Sequence, residues 1–358
     1  MYQGFIHSVI RMADQKVLRP EQCVVLDGKP CAACSEDMEL EKEINELEIM
    51  IEKIHSRRRA LRTTMNENRD PLIHKFPPEI ASLIFMQSSP PSTLFERLHN
   101  PLYLGAVCQK WRQPAWATPG LWTSLKLGYG SPAVGGFNNN LPQLMTEWLE
   151  RSASLPLTIR LVGLGGWLDS PQLINILNMH SARCHDMHIE VPPKFLDRFC
   201  GSSQGNILRR LALCLPFAYV VNVRNFSTFS MKSKARPTDL TLRTIGLLHV
   251  NIIWDNLTVA SVSDISVDEC LELIRRAPLL ETLRLHEINL SSNIFPIPNA
   301  RVVHPHLRSL TLLQIGEKNV VTGILDSFCF PSLEQWIHDR SHVPLDNMIS
   351  FIGVCLPV

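Results

Sequence analysis

The sequence has almost no excess charge of either sign and no long apolar run. Its 35 Lys and Arg residues are balanced by 34 Asp and Glu residues, so the formal net charge is +1. A chain without surplus positive charge has no general field that would steer nucleic acid or anionic lipid towards it. Polar residues or prolines interrupt every apolar stretch before the roughly 18 to 20 residues that cross a bilayer. We therefore expect a soluble protein without a nucleic-acid or membrane partner.

A leading apolar signal segment is also missing, although the chain has ten cysteines. Because these cysteines are spread irregularly, we interpret them as reduced thiols of an intracellular protein. Cys31 and Cys34, together with Cys23, look like half of a zinc site. Structural zinc needs four ligands, and only the distant His7 offers a fourth, so no metal is expected.

Motifs of the common enzyme classes are absent as well. Gly163-Leu164-Gly165-Gly166 lacks the spacing and the following acid of a dinucleotide-binding loop, and no P-loop lysine pattern occurs. No serine lies in a nucleophile elbow. His185 and His188 are three residues apart on a predicted strand, which points them to opposite faces. We expect neither catalysis nor a cofactor.

Length and pattern divide the chain into four predicted segments. Its 358 residues, 45% of them apolar and 19% charged, suit one or two folded cores with extensions. The segments are an irregular stretch over 1–34 without an assigned role, a long helix over 35–70, a small helical domain over 71–125 and a repetitive domain over 126–358. Because Ile352–Val358 ends apolar without a polar capping repeat, we expect a truncated chain or a partner at that end.

The long helix is predicted from apolar residues that alternate at spacings of four and three, as in coiled-coil heptads. Ser35 is the expected cap, with acidic residues in the first turn and arginines near the end. Only Arg58 interrupts the seam, which consists of Leu40, Ile44, Leu47, Ile51, Ile54, Leu61 and Met65. Two hypotheses stay open: a coiled-coil homodimer, or a helix that packs on a later domain of the same chain.

A second helical region begins at Phe76-Pro77-Pro78-Glu79-Ile80, where the prolines suit the first turn of a helix. Apolar residues continue its stripe to Phe85, and Ser88-Ser89-Pro90-Pro91 ends it. A further helix is expected to present Leu104, Val107, Cys108 and Trp111 on one face before Pro114 disrupts it. Three short helices can bury only a small core, so we predict that some of these apolar side chains stay exposed and contact a partner protein.

This region resembles the F-box family, whose pattern runs from Leu/Phe-Pro-x-Glu-Ile through Ile-Phe to Val-Cys-x-x-Trp. The resemblance implies docking on the Skp-family adaptor and cullin scaffold of an SCF-type ubiquitin ligase, in the cytoplasm or nucleus. It carries adaptor binding over to Phe76, Pro77, Ile80, Leu83, Ile84, Val107 and Trp111. The alternative is that these residues only close a small helical domain.

Residues 120–358 repeat a strand pattern with apolar residues in the first, fourth and sixth places. The predicted strands carry Trp122, Leu125, Leu127; Pro156, Ile159, Leu161; Cys184, Met187, Ile189; Leu208, Leu211, Leu213; Trp254, Leu257, Val259; Leu280, Leu283, Leu285; Leu307, Leu310, Leu312; and Leu333, Trp336, His338. The last four start 26, 27 and 26 residues apart. Before them lies a step of 46 residues that contains the predicted loop 232–237. Helices are expected after Ser170-Pro171, after the capping box Ser266–Glu269 and over Val320–Phe328.

The pattern resembles the leucine-rich repeats of F-box proteins that are common in fungi. This resemblance implies an α/β solenoid of short parallel strands backed by helices. The ninth place, often Asn or Cys, is Ile288, Ile315 and Pro216 in three clear repeats, which predicts irregular turns. The concave face would hold Thr282, Arg284, His286, Ser309 and Thr311 as substrate-binding residues, next to Asn256, Thr258, Gln335 and Ile337.

Together the patterns predict an α/β fold with a long N-terminal helix, a small helical domain and a repeat domain. The two resemblances imply a non-catalytic adaptor, in which the F-box binds the ligase and the repeat domain binds a protein substrate for ubiquitin-dependent degradation. The competing hypothesis is a repeat-based interaction scaffold without any link to a ligase.

Overall fold

The computed structural model describes residues 30–69, 75–88, 101–128, 140–163, 166–216, 227–297, 301–314, 318–338 and 351. The chain separates into two compact units, Met1–Pro77 and Pro78–Val358. Most of the predicted segment 1–34, and the apolar end Ile352–Val358, lie outside the described residues. The described chain is mixed α/β with a long N-terminal helix and a parallel sheet, which confirms that part of the predicted fold class. None of its helices is both long and apolar enough to span a membrane.

The first unit contains the long helix α1 (Ala32–Arg69), 38 residues in length. The expected cap at Ser35 is wrong, because the Ser35 backbone N–H donates to the Cys31 carbonyl at 2.9 Å, inside the helix. Ala32 and Ala33 are strong helix formers and carry α1 further towards the N-terminus. The predicted seam is solvent-exposed, from 47% at Ile51 to 60% at Ile54.

The second unit opens with three short helices, α2 (Pro78–Ser88), α3 (Pro101–Val107) and α4 (Gln109–Ala117). The single helix expected through Val107 and Trp111 is wrong, because Cys108 is extended (φ −160°, ψ 171°) and separates α3 from α4. Pro114 lies inside α4 and does not end it. Proline removes one N–H from the helical pattern, and α4 continues to Ala117 before a 3-10 turn at Pro119–Trp122.

Thirteen strands follow in the described part of this unit. They are β1 (Ser124–Leu127), β2 (Leu157–Val162), β3 (Cys184–Glu190), β4 (Arg210–Cys214), β5 (Phe229–Ser230), β6 (Asp239–Arg243), β7 (Val250–Asn251), β8 (Val259–Ser263), β9 (Thr282–His286), β10 (Val302–Val303), β11 (Ser309–Leu313), β12 (Phe328–Cys329) and β13 (Gln335–His338). Within the described ranges, nine form one sheet in the order β1-β2-β3-β4-β6-β8-β9-β11-β13, with every pair parallel. The other four make two small parallel pairs, β5–β7 and β10–β12.

The core lies on one face of this sheet, because side chains alternate between faces along a strand. Two buried rows cross the sheet in register: Leu125, Ile159, Met187, Leu211, Leu240, Ala260, Leu283 and Leu310, and Leu127, Leu161, Ile189, Leu213, Leu242, Val262, Leu285 and Leu312.

Two details of the predicted repeat are wrong. The step of 46 residues contains a further strand, β6, which was not predicted. Its repeat starts at Pro237, the last residue of the predicted loop 232–237, and continues with Leu240 and Leu242. The strand assigned to Trp254, Leu257 and Val259 is β8, and its true first, fourth and sixth residues are Leu257, Ala260 and Val262. The fourth place of this repeat holds the small Ala260 instead of a large apolar residue, so the pattern search assigned the strand three residues too early. Asn256 and Thr258 therefore precede the strand and do not lie on its face.

Four longer helices lie between described strands along the chain. They are α5 (Leu141–Arg151), α6 (Pro171–His180), α7 (Val267–Arg276) and α8 (Lys318–Ser327). As predicted, α6 starts directly after Ser170, and Ser266 and Glu269 form a reciprocal capping box at the start of α7. Helix α8 ends one residue before Phe328, which joins β12.

The turns after the later strands share one geometry, so the expected irregularity is wrong there. The residue after β6, β8, β9 and β11 is left-handed, with φ of 61°, 59°, 52° and 49° at Thr244, Asp264, Glu287 and Gln314. The next residue is a buried isoleucine at 245, 265 and 288, while Ile315 lies outside the described residues. A buried apolar side chain thus occupies the place where leucine-rich repeats often have an Asn or Cys.

Candidate functional site: two surfaces of the second unit

Helix α2 has two different apolar faces. Ala81 and Phe85 are buried, and the Phe85 ring packs against Trp111 with centroids 5.0 Å apart. On the other face, three aliphatic side chains stay in water, and we call them the α2 ridge: Ile80, Leu83 and Ile84, which are 39%, 56% and 38% exposed. Because the core already uses Ala81 and Phe85, the ridge is free to contact another protein.

A tryptophan cluster holds the short helices against the start of the sheet. The Trp122 indole N–H donates to the Ala115 carbonyl of α4 at 2.9 Å, and both groups are buried. The Trp122 ring meets Trp116 and Trp148 edge to face, at centroid distances of 5.3 and 4.9 Å. The Arg151 guanidinium lies over Trp116 and Trp122, at 5.1 and 4.9 Å from the two rings. These contacts give the α2 ridge a rigid base.

Close packing of α3 depends on a glycine. A Cβ on Gly105 would lie 1.8 Å from a ring atom of Trp116, so no larger residue fits without moving that ring. The Gly105 carbonyl also accepts a hydrogen bond from Arg112 Nε at 2.9 Å. The junction between α3 and α4 is therefore fixed from both sides.

The remaining residues predicted to bind the adaptor lie in different environments. Phe76 and Pro77 end the first unit, directly before α2 in the chain, and Phe76 is 46% exposed. Val107 ends α3 and is 51% exposed. Trp111 is half-buried against Phe85, so it supports the ridge from behind.

The second surface is the face of the sheet opposite the core, which we call the open sheet face. It brings the five predicted substrate residues together: Thr282 pairs with Ser309 and Arg284 with Thr311, while His286 follows on β9. Arg284 is exposed, whereas Thr311 is 8% exposed and less accessible. The pairing confirms that these residues share one patch of the sheet, and their role in binding stays a prediction.

Sequence patterns missed a charged cluster on the same face, over β3, β4 and β6. Asp186 Oδ2 lies 2.8 Å from Arg210 Nε, and Glu190 Oε1 lies 3.2 Å from Arg243 Nη2. His188 Nε2 lies 3.6 Å from the other Glu190 oxygen. Period-two alternation pointed to this face, but the partners come from strands more than 20 residues apart, so only the register revealed the pairs.

Burial and charge set the protonation of this cluster. Burial lowers the pKa of His188, and the neighbouring Arg160 lowers it further, against the opposing influence of Glu190. Burial also raises the pKa of the Cys214 thiol to about 11. A neutral imidazole and a protonated thiol leave the arginines and carboxylates as the charges that this face offers to a ligand.

The described residues include cysteines and other potential metal ligands. None of their His, Cys, Asp and Glu side chains form a group of three or more that could hold a metal ion. Cys31 Sγ and Cys34 Sγ lie 3.6 Å apart, and Cys23 lies outside the described residues. Burial raises the pKa of Cys184 to about 12, which makes that thiol a poor nucleophile.

No family model matches the chain, and no curated protein matches it. The resemblances to F-box and leucine-rich-repeat proteins therefore rest on this chain's own residues.

Proposed function

We propose that the protein is a substrate-recognition adaptor of an SCF-type ubiquitin ligase, in which the α2 ridge docks on a Skp-family adaptor and the open sheet face binds a protein substrate. The ridge is the observation that carries the proposal. It occupies the F-box-like positions Ile80, Leu83 and Ile84, and these side chains stay exposed while Phe85 is buried behind them.

The exposed area of the ridge sets how much it can contribute to docking. Complete burial of one Leu or Ile side chain is worth about 1.5 to 3 kcal/mol, before the costs of association are subtracted. Since the ridge residues are already about half-buried, each contributes on the order of 1 kcal/mol. The nearby exposed Val107 is a further anchor. Together these four anchors contribute about 4 kcal/mol, which is near the lower estimates of the cost of association, so docking also needs contacts outside the ridge.

The second unit supports a leucine-rich-repeat-like solenoid as the substrate-binding part. Besides the parallel register, a backbone pattern recurs at the strand starts. The carbonyls of Thr238, Thr258, Glu281 and Arg308 each accept two successive N–H groups of the next repeat, at 2.8 to 3.0 Å. A regular stack of this kind presents a broad strand surface, which suits recognition of a protein.

In this proposal the chain performs no chemistry itself. It holds the substrate near a ubiquitin-loaded partner, and the rate increase comes from proximity. The cluster of Asp186, Arg210, Glu190 and Arg243 gives the open sheet face charges of both signs, which favours a partner with a mixed polar surface.

The test is co-purification of the full chain with a Skp-family adaptor and a cullin. Leu83→Asp places a carboxylate in the docking surface and is expected to reduce the retained adaptor at least tenfold, because that charge would lose its hydration in the complex. The matched control is Leu248→Asp, since Leu248 is 53% exposed and lies in the turn before β7.

The control variant should retain the adaptor like the wild type. Undiminished capture by Leu83→Asp would refute docking through the ridge. Absence of the adaptor from the wild-type complex would refute the ligase linkage and favour the scaffold hypothesis.

A further inference from the structure

Helix α1 exposes an apolar seam that runs along most of its length. Leu40, Leu47, Ile54 and Leu61 occupy the d positions of successive heptads, and Ile44, Ile51 and Met65 occupy a positions with Arg58 between them. All seven apolar side chains are about half-exposed. Such a continuous stripe is typical of a helix that pairs with another helix.

The charges that flank the seam are sorted along the helix. In the first half, the charged residues at e and g positions are all acidic: Glu36, Glu41, Glu43 and Glu48. In the second half they include His55, Arg57 and Arg62. The ion pairs Lys42–Glu46 and Glu52–Arg59 of α1 lie at b, c and f positions, away from the seam. The sorted e and g charges therefore face whatever covers the seam.

These charges disfavour a parallel pair of identical helices. In a parallel pair, each g residue faces the e residue five positions later in the other chain. Glu36 would then face Glu41, Glu43 would face Glu48, and Arg57 would face Arg62. The a-position residue Arg58 would meet its own copy inside the seam.

An antiparallel pair turns each repulsion into an attraction or removes it. Because e positions face e positions in this arrangement, Glu41 faces Arg62 and Glu48 faces His55, twice each by symmetry. The apolar layers also align: Ile44 faces Leu61, Ile51 faces Ile54, and Met65 faces Leu40. Arg58 faces Leu47, next to the partner's acidic half.

We propose that two copies of this chain associate through an antiparallel coiled coil of α1, centred between Ile51 and Ile54. The overlap from Leu40 to Met65 is about 39 Å long at 1.5 Å per residue. One dimer would then carry two copies of each proposed binding surface.

The mass of the full chain in solution, measured by sedimentation equilibrium over a concentration series, tests the pairing. We expect a dimer for the wild type and a monomer for Ile51→Asp, which places a charge in the central layer. The matched control is Ile49→Asp, because Ile49 is 71% exposed and occupies an f position on the other side of α1. A monomeric wild type, or a dimer that survives Ile51→Asp, would overturn the proposal.

Charge reversal tests the orientation, because its effect has opposite signs in the two arrangements. Glu41→Arg replaces two Glu41–Arg62 attractions by repulsions in the antiparallel pair, which is expected to raise the dimer Kd about tenfold. In a parallel pair it would relieve the contact with Glu36 and lower the Kd. Arg62→Glu should behave in the same way, and a mixture of the two variants should form heterodimers tighter than either homodimer. A lower Kd for Glu41→Arg would contradict the antiparallel orientation.

Discussion

At the residue scale, the buried carboxylate of Asp268 holds the segment that follows β9. Oδ1 accepts hydrogen bonds from the Ser292 backbone N–H at 2.8 Å and from the Ser291 hydroxyl at 3.2 Å. Oδ2 accepts the backbone N–H groups of Ile294 and Phe295 at 2.9 and 3.0 Å. Burial alone would raise the pKa of Asp268, but these donors outweigh it and hold the pKa below its ordinary value of 3.8.

A depressed folded-state pKa means that Asp268 stabilises the protein at neutral pH and that this contribution is lost as the pH falls below 3.8. We expect Asp268→Asn to lower the free energy of unfolding at pH 7 by about 1 to 3 kcal/mol, because an amide N–H₂ would face two backbone donors. Urea denaturation at pH 7 and pH 3 measures the difference, which should shrink at pH 3. Asp255→Asn, at an exposed turn, is the control and should have little effect. Equal effects of the two variants would contradict the role of Asp268.

Another residue-scale contact joins two neighbouring repeats. Glu269 Oε1 accepts the Leu247 backbone N–H at 2.9 Å, while Oε2 accepts that of Ser266 at 3.2 Å. A Cβ on Gly246 would lie 2.6 Å from Glu269 Oε1. The absence of a side chain at Gly246 thus allows the capping carboxylate of α7 to bind both turns.

Gly246→Ala should therefore displace Glu269 and lower the free energy of unfolding by about 1 to 2 kcal/mol, the net value of one or two buried hydrogen bonds. Thermal and urea denaturation measure the loss. Gly205→Ala is the matched control, since a Cβ there meets nothing within 4 Å. If both variants are as stable as the wild type, the contact has no energetic weight.

At the scale of elements, the turns after β6, β8, β9 and β11 place non-glycine residues in the left-handed region. Thr244 is the least suited of the four, because a β-branched side chain is strained at its φ of 61°. Two contacts with other parts of the chain stabilise the turn at Thr244. The Thr244 backbone N–H donates a hydrogen bond to the Ser263 carbonyl at 3.0 Å, and the next residue, Ile245, is buried in the core.

Thr244→Gly is expected to raise the free energy of unfolding by about 0.5 to 1 kcal/mol, since the relief of strain exceeds the entropy that glycine adds to the unfolded chain. Chemical denaturation gives the value. The control is the same change inside the strand, Thr241→Gly, which should destabilise the protein. A loss of stability in Thr244→Gly would show that this turn is not strained.

The left-handed conformation of these turns could not be predicted from the sequence. Heptads predicted α1, and the capping box predicted α7, because both signals are local along the chain. The left-handed residues Thr244 and Glu287 are neither Gly nor Asn, so no local residue pattern indicated these turns. The frame of β8 depended on Ala260, whose burial follows from its neighbours Leu240 and Leu283 in the sheet.

At the scale of the whole molecule, the α2 ridge and the open sheet face differ in how far the sequence predicted them. Motif spacing placed Ile80, Leu83 and Ile84 together because one helix carries them all. The charged cluster of Asp186, Arg210, Glu190 and Arg243 could not be predicted, since strand pairing creates it. A helix face is a local property, whereas a sheet face depends on register between distant segments.

Amide hydrogen exchange of the full chain, with and without a purified Skp-family adaptor, measures whether the α2 ridge docks on that adaptor. Docking predicts slower exchange in Pro78–Ser88 and Gln109–Ala117 when the adaptor is added, with the strands of the open sheet face unchanged. Unchanged exchange in α2 and α4 at saturating adaptor would rule out docking through the ridge.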